Sequence, residues 1–245
     1  MELPSSSATT SPLRTPFASP LPSCVPPERQ TLTPEQQTKF DWLLNHARGW
    51  THVAVPKKDS KDATAEPQVD LSGPLTDAER MWVTRECLIR YLKASRWDEE
   101  VAERRVLGTL AWRRAYGVLP DQTLTPDLIS SENETGKQLL LGYDMRARPC
   151  QYLNPGRQNT DPSPRQVQHL VFMVERVIDL LPPGVETLSL LINFKKSKNR
   201  TNTAPGIGQA REVLNILQTH YPERLGQALI INGARSSPVC PPKEV

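Results

Sequence analysis

Thr187-Leu-Ser-Leu-Leu-Ile-Asn-Phe194 is a nearly all-apolar run of strand length, and its reading decides the fold. Apolar side chains at successive positions suit a strand covered on both faces, as in a parallel sheet. Just before it, Pro182-Pro183-Gly184 closes a helix that Ser163-Pro164 opens. Val167, Leu170, Val171, Val174, Val177, Ile178 and Leu181 recur there at helical spacing. After it, Ile207, Ala210, Val213, Leu214 and Leu217 line another helix, and residues 228–231 read as a second buried strand. Upstream, residues 138–141 and 151–153 read as two short strands around the turn Gly142-Tyr-Asp-Met-Arg-Ala-Arg148. The order strand, helix, strand, helix, strand predicts an α/β layer with a mostly parallel sheet, not a helical bundle.

The first half has a different period. Thr33-Pro34-Glu35 combines a capping hydroxyl, a first-turn proline and an early acid, and opens a helix with Phe40, Leu43 and Leu44 on its apolar face. Thr76-Asp-Ala-Glu79 is a capping box whose helix is expected to run to about Ala94, with Met81, Cys87, Leu88, Tyr91 and Leu92 on one face. Asp98 caps a third helix carrying Val101, Val106, Leu110 and Trp112, and Gly117 is its expected stop. The expected organisation is a disordered Ser/Pro-rich tail over residues 1–30 and a helical module over 31–118 with a polar linker at about 56–74. The α/β part follows over 119–232, then a tail without periodicity over 233–245. Ser-Pro and Thr-Pro pairs in the first segment are candidate phosphorylation sites or simply keep it extended.

Composition narrows the function classes. The chain has 245 residues, 24 of them proline, a 37% apolar fraction and a net charge of +3. That charge is too small and too dispersed for a dedicated nucleic-acid protein, yet compatible with attraction to an anionic membrane surface. Cys24, Cys87, Cys150 and Cys240 have no CxxC or zinc spacing. His46, His52, His169 and His220 have no metal spacing and no neighbouring nucleophile, so no cofactor and no enzyme activity are expected. Pro205-Gly-Ile-Gly208 lacks the Lys-Ser/Thr of a phosphate loop and reads as helix entry. With no apolar run of about 18 residues and no leader pattern, the expected location is cytoplasmic. The sequons at Asn133 and Asn199 then never meet the glycosylation machinery.

Six ordered motifs resemble one family. Ile89-Arg-Tyr-Leu-Lys-Ala-Ser-Arg-Trp-Asp98 is similar to the "L-R-F-L-R-A-R-K-F-D" string of CRAL-TRIO proteins, and Ala111-Trp-Arg-Arg114 to their "W-R" element. Leu141-Gly-Tyr-Asp-Met-Arg-Ala-Arg-Pro149 resembles "G-x-D-x-x-G-R-P", with Ala147 at the second glycine. Asn154-Pro-Gly-Arg-Gln-Asn-Thr160, Thr219-His-Tyr-Pro-Glu-Arg-Leu-Gly226 and Ile230-Ile-Asn232 continue in order. The resemblance covers about Leu75 to Asn232 and is nearest to the fungal phosphatidylinositol-transfer branch. It implies a helical module packed on an α/β domain whose sheet floor and mobile gate helix enclose one phospholipid, phosphatidylinositol foremost. The implied protein is a monomer with peripheral, transient contact to intracellular membranes.

The resemblance also carries site residues. Arg90, Lys93 and Arg96 match basic positions of the first string and Glu223 the glutamate of "Y-P-E-R", whereas Ser95 stands where the pattern has arginine. Independently of the family, Arg90 and Lys93 are three apart on a helix and share a face, with Arg96 at its end. Such a cluster suits an inositol phosphate, a guanidinium best of all; a solvated charged face is the plainer alternative. Pro149 reads as a strand breaker, and Lys195, Lys196, Lys198 and Arg200 as a basic loop. After Asn232 the apolar, aromatic stretch of the family gives way to Gly233-Ala-Arg-Ser-Ser-Pro-Val-Cys-Pro-Pro-Lys-Glu-Val245. The expectation is a lipid domain truncated on its C-terminal side, with transfer impaired; the alternative is a non-transferring regulatory or interaction fragment.

Overall fold

Thr33 and Gln36 close a reciprocal capping box, the threonine hydroxyl accepting from the Gln36 amide and the glutamine carbonyl from the Thr33 amide. Helix α1 (Pro34–Gly49) follows and buries Phe40 and Leu43. This is a computed structural model, and it describes residues 15, 17–55, 71–118, 123–195 and 207–233. Two further helices replace the single one expected after Thr76. Helix α2 (Asp77–Trp82) stops at Val83, and α3 (Arg85–Ala94) restarts under its own cap, Thr84, whose hydroxyl accepts the Cys87 amide. The β-branched pair Val83-Thr84 weakens the helix, and the threonine serves better as a cap than as an interior residue. Met81, expected on the buried face, is 78% exposed as a result. Helix α4 (Glu99–Tyr116) starts at Asp98 and ends at Gly117, which takes φ 75°, as a C-terminal glycine can. Phe40, Leu43, Cys87, Leu88, Leu92 and Val106 form the core of this module.

Between α1 and α2, β1 (His52–Val53) pairs antiparallel with β2 (Gly73–Pro74). The expected linker is therefore pinned at its far end; its residues 56–70 lie outside the described set. Arg114 locks this corner, donating to the carbonyls of Leu71, Gly73 and Pro74 and to the fully buried Glu79 carboxylate.

The second half begins with a single turn, α5 (Ser130–Asn133), then hairpin strands β3 (Gln138–Tyr143) and β4 (Pro149–Leu153). A 3-10 turn at Pro155–Arg157 leads to α6 (Arg165–Asp179), β5 (Leu188–Asn193), α7 (Ile207–His220) and β6 (Leu225–Ile231). The sheet order is β3-β4-β5-β6, antiparallel in the first pair and parallel in the next two. A helical N-terminal module beside an α/β domain with a mostly parallel sheet is thus the fold. Val167, Val171 and Val174 on α6 pack with Ile216 and Tyr221, and Trp112 from α4 packs against them.

Two expectations about burial change. Strand β6, read as buried, is exposed at all seven residues, Leu229 and Ile231 at 50% each. Among the described residues no strand pairs with its outer edge. Strand β5 is buried at Leu188 and Ser189 and half-buried beyond. An apolar run records the capacity to be covered; what covers it is a tertiary matter.

In the segment expected to be a tail, residues 1–14 and 16 lie outside the described set. From Phe17 onward the chain runs against the folded body. The Val25 amide donates to Met145 O at 2.9 Å, the Tyr143 hydroxyl reaches Ala18 O at 3.3 Å, and Arg29 pairs with Glu86 at 2.7 Å. The tail beyond Gly233, the glycine pair up to Gly206, and Lys196, Lys198 and Arg200 also lie outside the described residues.

Candidate functional site

Helix α3 distributes the basic residues of the first string rather than gathering them. Arg90 faces inward and is buried, with Nη1 3.4 Å from Glu186 Oε2. Lys93 is half-buried, and Arg96 is exposed beyond the helix end in a left-handed turn, φ 54°, followed by Trp97 at φ 62°. Glu223 is exposed in another left-handed position, φ 59°, between α7 and β6. No hydrogen bond or ion pair joins any two of these four among the described residues. Arg105 links their neighbourhoods. Its guanidinium donates to the Ala94 carbonyl (2.8 Å) at the end of α3 and to the Gln218 carbonyl (3.0 Å) near the end of α7. The turns bearing Arg96 and Glu223 thus leave helices clamped by one arginine, which sequence reasoning did not single out.

Behind α3 lies a cavity of about 260 Å³ where α2, α3, α4 and α6 meet the α7–β6 turn. Trp82, Arg90, Arg113, Glu175, Tyr221 and Arg224 are among its walls. Arg113 forks onto Glu175 at 2.8 and 3.0 Å, and the Tyr221 hydroxyl donates to the same carboxylate at 2.6 Å. Arg113 also lies over the Trp82 ring, 5.1 Å from its centroid. Its Nε is buried and has no hydrogen-bond partner among the described residues. Arg224 donates to the Glu186 carbonyl at 2.9 Å; burial first, then the Arg90 charge, bring its pKa down to about 10. His220 stacks on Trp112 (4.0 Å, 7°) and burial, with Arg113 and Arg105 nearby, lowers its pKa to about 4, so it is neutral near pH 7. The hairpin bears a second polar knot. Asp144 accepts the Arg146 and Arg148 amides and the Ser189 hydroxyl (2.6 Å), and these bonds outweigh burial to hold its carboxyl below the usual range.

Sequence signals for the cavity existed in part. Arg113 stands in the "W-R" element and Arg224 follows Glu223 in "Y-P-E-R", but Glu175 and Glu186 belonged to no motif. Among the described residues no group of three or more His, Cys, Asp or Glu is placed to hold a metal. No described helix is long and apolar enough to cross a membrane.

Two family models match this chain: the CRAL/TRIO N-terminal domain over residues 39–107 and the CRAL/TRIO domain over 133–239. The chain belongs to the CRAL-TRIO family. It is 50% identical over 206 residues to a CRAL-TRIO domain-containing protein of Schizosaccharomyces pombe, a match covering 84% of this chain and 19% of that one. It is 45% identical over 166 residues to the phosphatidylinositol transfer protein PDR17 of Saccharomyces cerevisiae, covering 65% of this chain and 47% of PDR17. A second S. pombe CRAL-TRIO domain-containing protein is 24% identical over 151 residues, covering 58% of this chain and 33% of that one. The chain therefore spans about half the length, or less, of the relatives it matches.

Proposed function

We propose that this chain binds a phospholipid, phosphatidylinositol foremost, and that its whole protein moves such lipid between cytoplasmic membrane surfaces by transient contact. The similarity to PDR17 carries this reading. Its geometric support is the Arg105 clamp, which holds the turn of Arg96 and the turn of Glu223 on neighbouring helix ends. In this reading Arg96 meets the headgroup phosphate, Glu223 accepts from headgroup hydroxyls, Lys93 adds charge, and Arg90 supports the corner from behind. Transfer needs no bond-making: the protein acts as a monomeric carrier, without a cofactor, shielding acyl chains from water at about 0.8 kcal/mol per buried CH₂. The test is binding to liposomes containing phosphatidylinositol. Arg96→Ala and Glu223→Ala should each weaken binding with helical content unchanged; equal binding by both variants would remove these residues from the site.

One observation favours a second reading, a regulatory or interaction module that carries no lipid. Every residue of β6 is exposed, so the described elements leave one end of the sheet uncovered. Native mass spectrometry of the purified chain separates the two: co-purified phospholipid supports the first, a bare chain the second.

A further inference from the structure

Two reverse turns lie side by side at the tip of the β3–β4 hairpin. In the front segment the Cys24 amide donates to Leu21 O at 2.9 Å, and in the hairpin the Ala147 amide donates to Asp144 O at 2.9 Å. A main-chain bond from the Val25 amide to Met145 O, also 2.9 Å, locks one turn onto the other. Phe17 anchors the front segment, its ring lying against Gly142. That glycine sits at φ 119°, and an added Cβ would stand 2.9 Å from Phe17 Cδ2, so both the backbone and the ring need a residue without a side chain. The apolar side chains at the tip nevertheless remain in solvent. Leu21 and Met145 are 67% exposed and Val25 71%, with Phe17 at 52% beside them.

The surrounding chemistry says what such a tip meets. From Thr15 to Pro27 the segment has no charged residue and five prolines. Proline carries no N–H, and the Cys24 and Val25 amides are already bonded, so the tip has few donors to strip of water. Asp144 of the hairpin turn faces Arg148 at 2.9 Å, which leaves Arg146, exposed beside Met145, as the outward charge of that turn. On the other flank Arg29 pairs with Glu86, and Glu28 is the first acid along the segment. An apolar tip bordered by an arginine suits the boundary between headgroups and acyl chains of an anionic bilayer. A protein partner fits less well, because a standard interface engages about 20–30 residues a side within a hydrogen-bonding rim.

We propose that this pair of turns is the membrane-contact surface of the chain: Leu21, Val25 and Met145 enter the interfacial layer and Arg146 meets anionic headgroups. The proposal rests on the reading of the chain as a carrier that visits membranes, and adds where it touches them. It uses neither Arg96 nor Glu223, and no residue of β6.

Flotation of the full chain with phosphatidylcholine vesicles, with and without phosphatidylserine and all free of phosphatidylinositol, tests it. The wild type should bind the anionic vesicles, and bind them less in high salt. Leu21→Asp combined with Met145→Asp should lower that binding on the order of tenfold or more, with the urea midpoint unchanged. Arg146→Gln should lower binding to anionic vesicles several-fold and leave binding to pure phosphatidylcholine as it was. Should the double variant fail to fold, a several-fold loss in Met145→Ser decides in its place. Absence of binding by the wild type overturns the proposal, as does full binding by the folded apolar variants. Binding lost in Leu229→Lys and kept in the double variant moves the contact to β6 and overturns it too. A wild-type dimer that the double variant dissolves, seen by sedimentation without vesicles, assigns the tip to a second copy and likewise overturns it. Vesicle binding through the tip by a chain that carries no phospholipid in native mass spectrometry keeps this surface and overturns the carrier reading. Co-purified phospholipid in a chain that binds no vesicles does the reverse.

Discussion

Glu79 shows how one residue serves two levels of structure. Its side chain closes the capping box of α2 by accepting the Thr76 amide at 2.8 Å, and it receives Arg114 from α4, so a local helix start is tied to the β1–β2 corner. Removing one partner of a buried pair leaves the other charge without compensation. Glu79→Ala is expected to cost about 3–5 kcal/mol in urea unfolding; a loss below about 1 kcal/mol, the level of a surface pair, would show that the corner is dispensable. The pH dependence follows from groups of this kind. His169 is fully buried, and burial, followed by the Lys137 charge, lowers its pKa from 6.5 to about 4. The unfolded chain takes up a proton below pH 6.5 where the folded chain does not until about 4, so its stability contribution is intact above 6.5 and shrinks as pH falls towards 4. Glu79 adds a lower window: burial opposes its ionisation, but the Arg114 and Thr76 bonds win, so its contribution is present above about 4.5 and is lost as pH falls through its lowered folded value. The urea midpoint should therefore fall between pH 7 and 5, and fall less in His169→Gln; a midpoint flat over that interval in the wild type would contradict the assignment. Residue conformation also explains the glycine of the family pattern and not its replacement here. Ala147, where the resemblance has glycine, is left-handed at φ 57°, a strain of about 1–2 kcal/mol for a side-chain-bearing residue.

Elements that carry their own start, stop and period were legible in the sequence: α1 from its capping box, α4 from Asp98 and Gly117, α6 from its valine stripe, and β5 from its apolar run. Those that depend on a distant partner were not. The apolar pattern continues across Val83-Thr84 and hides the break between α2 and α3. Strands β1 and β2 are two residues each and show no period, and their pairing is visible only with Arg114 in place. The cavity was illegible for the same reason, since Arg113 and Glu175 are 62 positions apart and ion pairs leave no spacing in a sequence. Strand β6 was legible as a strand but not in its exposure. Leu229→Lys on β6 should reduce self-association in light scattering while leaving the urea midpoint nearly unchanged, because a charge on an open edge blocks strand pairing and disturbs no packing. A clear loss of folding would mean that Leu229 is covered in solution. The front segment gives a companion test. Its contacts with Met145, Tyr143 and Glu86 are few and mostly exposed, so deletion of residues 1–30 should shift stability by no more than about 1 kcal/mol. A larger loss would make this segment part of the fold.

The two halves of the molecule are joined by more than apolar contact. Arg105 bridges α3 to α7, the Tyr91 hydroxyl lies 2.8 Å from Thr109 and 3.1 Å from the His220 carbonyl, and Trp112 stacks on His220. A lipid carrier needs this rigidity at the headgroup, where charges must stay in place, and an apolar enclosure for the chains. The described residues provide the first more fully than the second. Strand β6 offers Leu225, Leu229, Ile230 and Ile231 without a covering element among the described residues, Phe194, whose amide donates to Ile231 O at 3.0 Å, is exposed beside it, and Leu214 on α7 is exposed as well. Each acyl CH₂ that stays in water forfeits about 0.8 kcal/mol, so a handful of exposed methylenes is enough to cancel the advantage of leaving a bilayer. We therefore expect this chain alone to transfer labelled phosphatidylinositol between vesicles slowly or not at all, and a longer chain that covers β6 to transfer it faster. The comparison should be made at equal protein concentration, with intermixing of vesicles monitored so that aggregation through β6 is not read as transfer. Comparable rates for the two would show that the visible sheet and helices shield the acyl chains sufficiently, and would make β6 a lipid-facing surface filled only when cargo is aboard.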